Sequence, residues 1–157
     1  MAAERRGPPP LRPFGLVLHH DGRWTHDGEP IRHRKLREHF DRSVRYLPDE
    51  RKYVVTLRHF RGEITLEEAA FFVRDIDPAS GRLTLSDGSA ERLDASSLHW
   101  SPRDGALLCR VKTSLEPAGL LARFFPGPQA ELLQAVEEGD AGLGLRIDGV
   151  WTPLPDL

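Results

Sequence analysis

Gly15-Leu16-Val17-Leu18-His19-His20-Asp21-Gly22-Arg23-Trp24-Thr25 and Gly142-Leu143-Gly144-Leu145-Arg146-Ile147-Asp148-Gly149-Val150-Trp151-Thr152 share Gly, Leu, Leu, Asp, Gly, Trp and Thr at the same offsets. Each is an apolar run, an Asp-Gly pair and a returning run. That is the pattern of a β-hairpin, because a tight hairpin turn needs residues that accept positive φ. Any such hairpin with one buried face selects some of these residues. Agreement at Trp and Thr as well points to duplication of a unit. The copies lie at opposite ends of the chain, so the architecture is not a solenoid.

Working inward, Asp27-Gly28 and Pro30 turn the chain into a helix over 32–47. Leu36, Phe40, Val44 and Leu47 form its apolar stripe, and Pro48 stops it. Residues 52–60 alternate as a strand, with Tyr53, Val55 and Leu57 on one face. Ile64-Thr65-Leu66 and Phe71 to Ile76 are further strands, the second ended by Asp77-Pro78-Ala79-Ser80-Gly81. Leu83-Thr84-Leu85 and Glu91-Arg92-Leu93 flank Asp87-Gly88 as a second hairpin, and residues 106–112 form a strand. Pro117 to Phe125 is ambiguous, with a short helix as the nearest reading. A helix over 128–138 follows, with Pro128 in its first turn and Gly139 at its end.

The fold class is therefore α+β. The expected organisation is a polar Pro/Arg-rich tail over 1–14 and two mixed halves, 15–77 and 78–157. Each half has a curved antiparallel sheet and one main helix.

A chain of 157 residues buries enough surface to fold without disulfide or metal. Its net charge of −2 gives no global attraction to nucleic acid or acidic membranes, so nucleic acid is not an expected partner. No apolar run reaches the ~18–20 residues that span a bilayer. Arg5-Arg6 is followed by Gly7-Pro8-Pro9-Pro10 rather than an apolar stretch, so the expected location is the cytoplasm. The single cysteine, Cys109, lies in an apolar run and reads as a core strand residue. Lysine occurs three times and asparagine never. Both have AT-rich codons, so a GC-rich bacterial genome is the simplest cause.

The chemistry of the motifs is mostly exclusion. No phosphate-binding GxxxxGK[ST], GxSxG or HExxH occurs. The glycines of Gly139 to Gly144 follow a helix and precede a hairpin, which is the wrong context for a dinucleotide site. His19 and His20 point to opposite faces of a strand, so the cluster with His26 is read as no metal site. No cofactor and no catalytic residue is assigned. Arg32, Arg34, Lys35, Arg37, Arg42 and Arg45 make the first helix basic, but Glu38 and Asp41 stand four residues before Arg42 and Arg45, where intrahelical pairs form. Glu67-Glu68 and Asp75 with Asp77 are carboxylate pairs.

Asp21-Gly22-Arg23-Trp24, Gly28-Glu29-Pro30-Ile31, Leu36, Phe40, Tyr53-Val54-Val55-Thr56, Ile64, Glu67, Ala69-Ala70-Phe71, Asp75 and the terminal Gly149-Val150-Trp151 with Pro153-Leu154 resemble, in order, the bacterial domain-of-unknown-function family 1285. The likeness runs over 16–154. It departs from the family pattern at His33, where an arginine is usual, at Ala70, where a proline is usual, and around Leu57 to His59. The resemblance implies a duplicated α+β core, a C-terminal half similar to pleckstrin-homology folds, and a regulatory or signalling role. It also implies a nucleotide-like ligand bound between the halves.

Local chemistry nominates Trp24 and Trp151 as flat apolar surfaces for such a small anionic ligand, and Arg34, Arg58 and Arg74 as its phosphate partners. The resemblance adds His33, Glu67 and Asp75. Two other functions compete. One is a protein-interaction module, using the tail or a sheet edge to bind another protein or a second copy. The other is a small hydrolase using Asp75 with His59.

Overall fold

The computed structural model describes residues 11–57 and 60–156. The first six strands form one sheet. β1 (Leu11–Leu18), β2 (Trp24–His26) and β3 (Glu29–Pro30) run outward from its centre. Helix α1 (Arg34–Ser43) follows, and β4 (Arg45–Leu47), β5 (Lys52–Leu57) and β6 (Phe60–Leu66) run back in. The order is β3-β2-β1-β6-β5-β4, with β1 and β6 parallel at the centre and every other pair antiparallel.

The second sheet repeats this plan. β7 (Phe71–Asp77), β8 (Arg82–Leu85) and β9 (Ala90–Arg92) run outward, and a 3-10 turn spans Ala95–Ser97. Then β10 (His99–Trp100), β11 (Leu107–Val111) and β12 (Leu120–Phe124) return, so that β12 lies parallel to β7. Helix α2 (Pro126–Gln134) and a three-stranded sheet, β13 (Glu137–Gly139), β14 (Gly142–Ile147) and β15 (Val150–Pro153), complete the chain. The fold is α+β, and the duplication is one of strand order. Each central parallel pair makes its sheet mixed rather than purely antiparallel.

The two hairpins that share seven residues do not occupy equivalent places, and they turn differently. In the first, the His19 N–H donates to the Arg23 carbonyl and only Gly22 of the turn pair has positive φ, which leaves Leu18 opposite Trp24. In the last, Asp148 and Gly149 both have positive φ, and the tighter loop leaves Leu145 opposite Thr152. A one-residue change of register exchanges the faces of a strand. Trp24 accordingly shares the buried face of Leu18, while its counterpart Trp151 stands opposite Arg146 and is only half-buried.

Five expectations change for physical reasons. α1 ends at Ser43, because Val44 is extended and Tyr46 pairs and packs with Tyr53 across β4 and β5. Leu47 therefore sits on a strand, and Leu36 is left partly exposed. α2 begins earlier and ends earlier than 128–138, with Pro126 and Pro128 both in its first turn. The ambiguous segment 117–125 holds β12, a central strand. Such strands are buried on both faces and lose the alternation that marks an edge or half-exposed strand. Finally, β7 bonds to β8 and β12, so the two units meet at 67–70. The Asp77–Gly81 segment read as a boundary is a hairpin turn, closed by the Gly81 N–H on the Asp77 carbonyl. Residues 11–14, read as tail, belong to β1, and 1–10 lie outside the described residues.

One apolar core runs through all three sheets, from Trp24 and Phe40 through Phe71, Phe72 and Phe124 to Leu132 and Leu145. Leu132 is fully buried where α2 packs on the second sheet. Leu132→Ala should therefore cost about 2–5 kcal/mol, read as a lower urea midpoint; a loss below ~1 kcal/mol would show that α2 does not anchor this core.

Candidate functional site

The polar chemistry concentrates where the two units join. After β6, Glu67 and Glu68 face different partners. Glu67 accepts the His20 backbone N–H (3.1 Å) and contacts ring Nδ1 of both His20 and His19, the latter at 3.0 Å. These bonds, that of the His20 ring foremost, lower its carboxyl to about 2. Glu68 is nearly buried; it accepts from Ser101 Oγ (2.7 Å) and from Arg123 Nη1 (2.9 Å). Arg123 Nη2 bonds to Asp104. Arg103 spans both acids, donating to the Glu67 carbonyl at 2.9 Å and lying 3.7 Å from the Glu68 carboxylate.

Sequence reading noted the two glutamates but missed Arg123, which lay inside the ambiguous segment. The available signal was the arginine within Leu120-Leu121-Ala122-Arg123-Phe124, since a charge in a buried run requires a partner.

His19 continues the network. With Nδ1–H donating to Glu67, its Nε2 accepts from Thr25 Oγ1 (2.9 Å). Hydroxyl, imidazole and carboxylate thus stand in the order of a nucleophilic relay. The Thr25 residue is 91% shielded and its backbone pairs with Val17 within the sheet. A nucleophile must meet a substrate and oxyanion donors, and Thr25 is enclosed, so the relay fixes the hairpin. Beside the network, a cleft of about 400 Å³ opens between the first hairpin and α2, lined by Asp21, Asp104, Arg123, Phe125, Gln129 and Leu133 among others. The Arg123 guanidinium at its edge is committed to Glu68 and Asp104. Among the described residues no group of three or more His, Cys, Asp and Glu side chains is placed to hold a metal. Cys109 is buried in β11, and burial pushes its thiol up to about 12.

A second contact joins the units through α1. Asp41 accepts from Trp24 Nε1 (2.8 Å) and from Arg74 Nη2 on β7 (2.9 Å). Burial raises its carboxyl above the ordinary value despite both donors. The intrahelical pairs expected on α1 do not form. Asp41 turns inward, Arg45 caps the Arg42 and Val44 carbonyls, and Glu38 bonds to Arg34 (3.0 Å). Arg42 is left exposed, with no partner among the described residues. It lines a cleft of about 270 Å³ with Glu38, Arg74, Thr84 and Ser86, between α1 and the β7–β8 hairpin.

The sequence-derived candidates separate accordingly. Arg74 faces this cleft, and Arg34 reaches its rim through Glu38. Trp24 is a core residue packed on Phe40, with its N–H bonded, so it presents no free surface. Trp151 lies half-buried on the third sheet, against Gly139 and Gly144 with Arg146 over its ring. The paired tryptophan surfaces are therefore not assembled. His33 caps α1, its Nδ1 accepting from the Leu36 N–H. Glu67 belongs to the junction network instead. Asp75 is exposed beside Arg74 at a bulge in β7. Arg58 and His59 lie outside the described residues.

The fold thus defines a class: two topologically repeated sheet units with a polar junction. Two solved structures share it. A DUF1285 family protein from Silicibacter pomeroyi DSS-3 matches with a TM-score of 0.66 and 20% identity, over 98% of this chain and 90% of that one. A second, from Shewanella baltica OS155, matches with a TM-score of 0.52 and 13% identity, over 77% of this chain and 91% of that one. The chain has the fold of these DUF1285 family proteins, in agreement with the resemblance carried by its residues. No family model and no curated protein matches it.

Removing one member of a buried ion pair strands the other. Arg123→Ala should cost about 3–5 kcal/mol in chemical unfolding, and a loss under ~1 kcal/mol would mean that solvent already reaches Glu68. Glu67 makes a separate prediction. Its folded value lies below the ordinary 4.5, so the stability it contributes is complete above that pH and is lost as pH falls toward about 2. The wild type should lose more stability across that window than Glu67→Gln, and equal slopes would show that the histidine bonds do not persist in solution.

Proposed function

We propose that this chain is a regulatory binding module, and that it holds a small anionic, nucleotide-like ligand between its two sheet units, in the cleft between α1 and β7–β8. The observation that carries this reading is the pair Arg42 and Arg74 on one cleft. Arg42 is an exposed guanidinium without a partner among the described residues, and Arg74 is held in place by Asp41. A guanidinium offers several donors in a planar fork, which matches phosphate oxygens. Thr84 lines the same wall, beside the buried Ser86, whose Oγ accepts from the Phe72 N–H. The cleft's size suits the phosphate-bearing part of a nucleotide rather than the whole molecule.

A calorimetric titration of the full chain with inorganic phosphate, pyrophosphate and a nucleotide panel tests this. We expect saturable binding that Arg42→Ala weakens by roughly tenfold, with the folded state unchanged because Arg42 makes no contact that α1 needs. Binding untouched by Arg42→Ala and Arg74→Ala would place the ligand elsewhere, and no binding at millimolar concentration would leave a protein-contact role as the better account.

A further inference from the structure

We propose that the anion held at Arg42 and Arg74 is one end of a chain of linked phosphates, and that Lys35 and Arg32 bind the rest of that chain along α1. This rests on the preceding reading of the cleft and names the class of its ligand.

Three of the cations on and beside α1 are already used. Arg37 donates to the Ile31 and Arg32 carbonyls, Arg45 to those of Arg42 and Val44, and Arg34 to Glu38. Lys35 and Arg42 on the helix and Arg32, just before its N-cap His33, remain, all exposed and without a partner among the described residues. Lys35 and Arg42 are two helical turns apart, so they share a face. That face is turned away from Phe40 and Ser43, the buried side of α1.

Their separation along the axis is about 10 Å. One phosphate touching Arg42 and Arg74 cannot reach Lys35, whereas a chain of about four linked phosphates laid along the helix spans this rise of 1.5 Å per residue. The acidic residues of α1 already have partners. Asp41 is turned inward to Trp24 and Arg74, and Glu38, which stands between Lys35 and Arg42, is bonded to Arg34. The exposed face of α1 carries no Phe, Tyr or Trp on which a base could stack. Recognition on this face is therefore of phosphate charge, whether the chain is inorganic or carried by a nucleoside.

The test titrates the full chain at low salt with orthophosphate, pyrophosphate, tripolyphosphate, tetrapolyphosphate and adenosine triphosphate. Affinity should rise with chain length, by roughly tenfold between pyrophosphate and tetrapolyphosphate. The double variant Arg32→Gln/Lys35→Gln should abolish that rise and leave pyrophosphate binding unchanged. Arg42→Gln should weaken every probe. Adenosine triphosphate binding no tighter than tripolyphosphate supports recognition of the phosphates. Affinity independent of chain length but still dependent on Arg42 overturns this inference while the cleft reading stands. Tighter binding of adenosine triphosphate that the double variant does not alter also overturns it. Loss of all binding removes both.

Discussion

Two adjacent carboxylates, Glu67 and Glu68, must be satisfied at the single point where the chain passes from one sheet unit to the next. Both lie in the bend that follows β6, where the two side chains reach different partners, so one segment can hold two surfaces. Glu67 reaches back to His19 and His20 on the first unit, and Glu68 reaches forward to Ser101 and Arg123 on the second. Arg103, from the second unit, closes the circuit by bonding to the Glu67 carbonyl. The relative placement of the units is thereby fixed by charge-assisted bonds rather than by apolar contact alone. Because Glu68 and Arg123 are both shielded from water, neither can give up its partner cheaply.

Asp41 repeats that logic at the other contact between units. On an isolated helix it would pair with Arg45, one turn on. Here its partners are the indole of Trp24 and the guanidinium of Arg74. The helix thus gives up a weak exposed pair for a shielded bridge to the second sheet. The consequence for the surface is electrostatic. With Asp41 drawn inward and Glu38 on Arg34, no acid of α1 remains for Arg42, and the outer face of α1 keeps unneutralised positive charge on a protein whose net charge is negative.

Local rules made part of this legible. Asp-Gly pairs located the hairpins at 87–88 and 148–149, and Pro48 and Pro128 lay near real boundaries. What local rules could not reach depends on pairing between distant strands. β12 looked like no strand because both its faces are buried. α1 looked longer because Val44 and Leu47 continue the helical spacing of Leu36 and Phe40, although Arg45 to Leu47 pair with β5 and Tyr46 packs on Tyr53. The same limit governed the site. Arg74 was nominated as a phosphate partner and does face a cleft, but nothing in sequence shows that Trp24 is enclosed or that Arg34 is bonded to Glu38. The cluster of His19, Glu67 and Arg123 joins residues more than forty positions apart, a proximity that only the fold creates.

The duplication also locates where the two units differ. Both sheets share a strand order, yet the element joining their third and fourth strands differs. In the first unit it is the ten-residue α1, in the second a three-residue 3-10 turn at Ala95–Ser97. A single turn cannot present cations two turns apart, nor lay a side chain across to the neighbouring sheet. α1 does both, through Asp41 and Arg42. In a repeated architecture the strand order is set by the shared core, so the segment that diverges in length is free to acquire chemistry. The asymmetry of this connection, rather than the symmetry of the sheets, is what gives the molecule a distinct face.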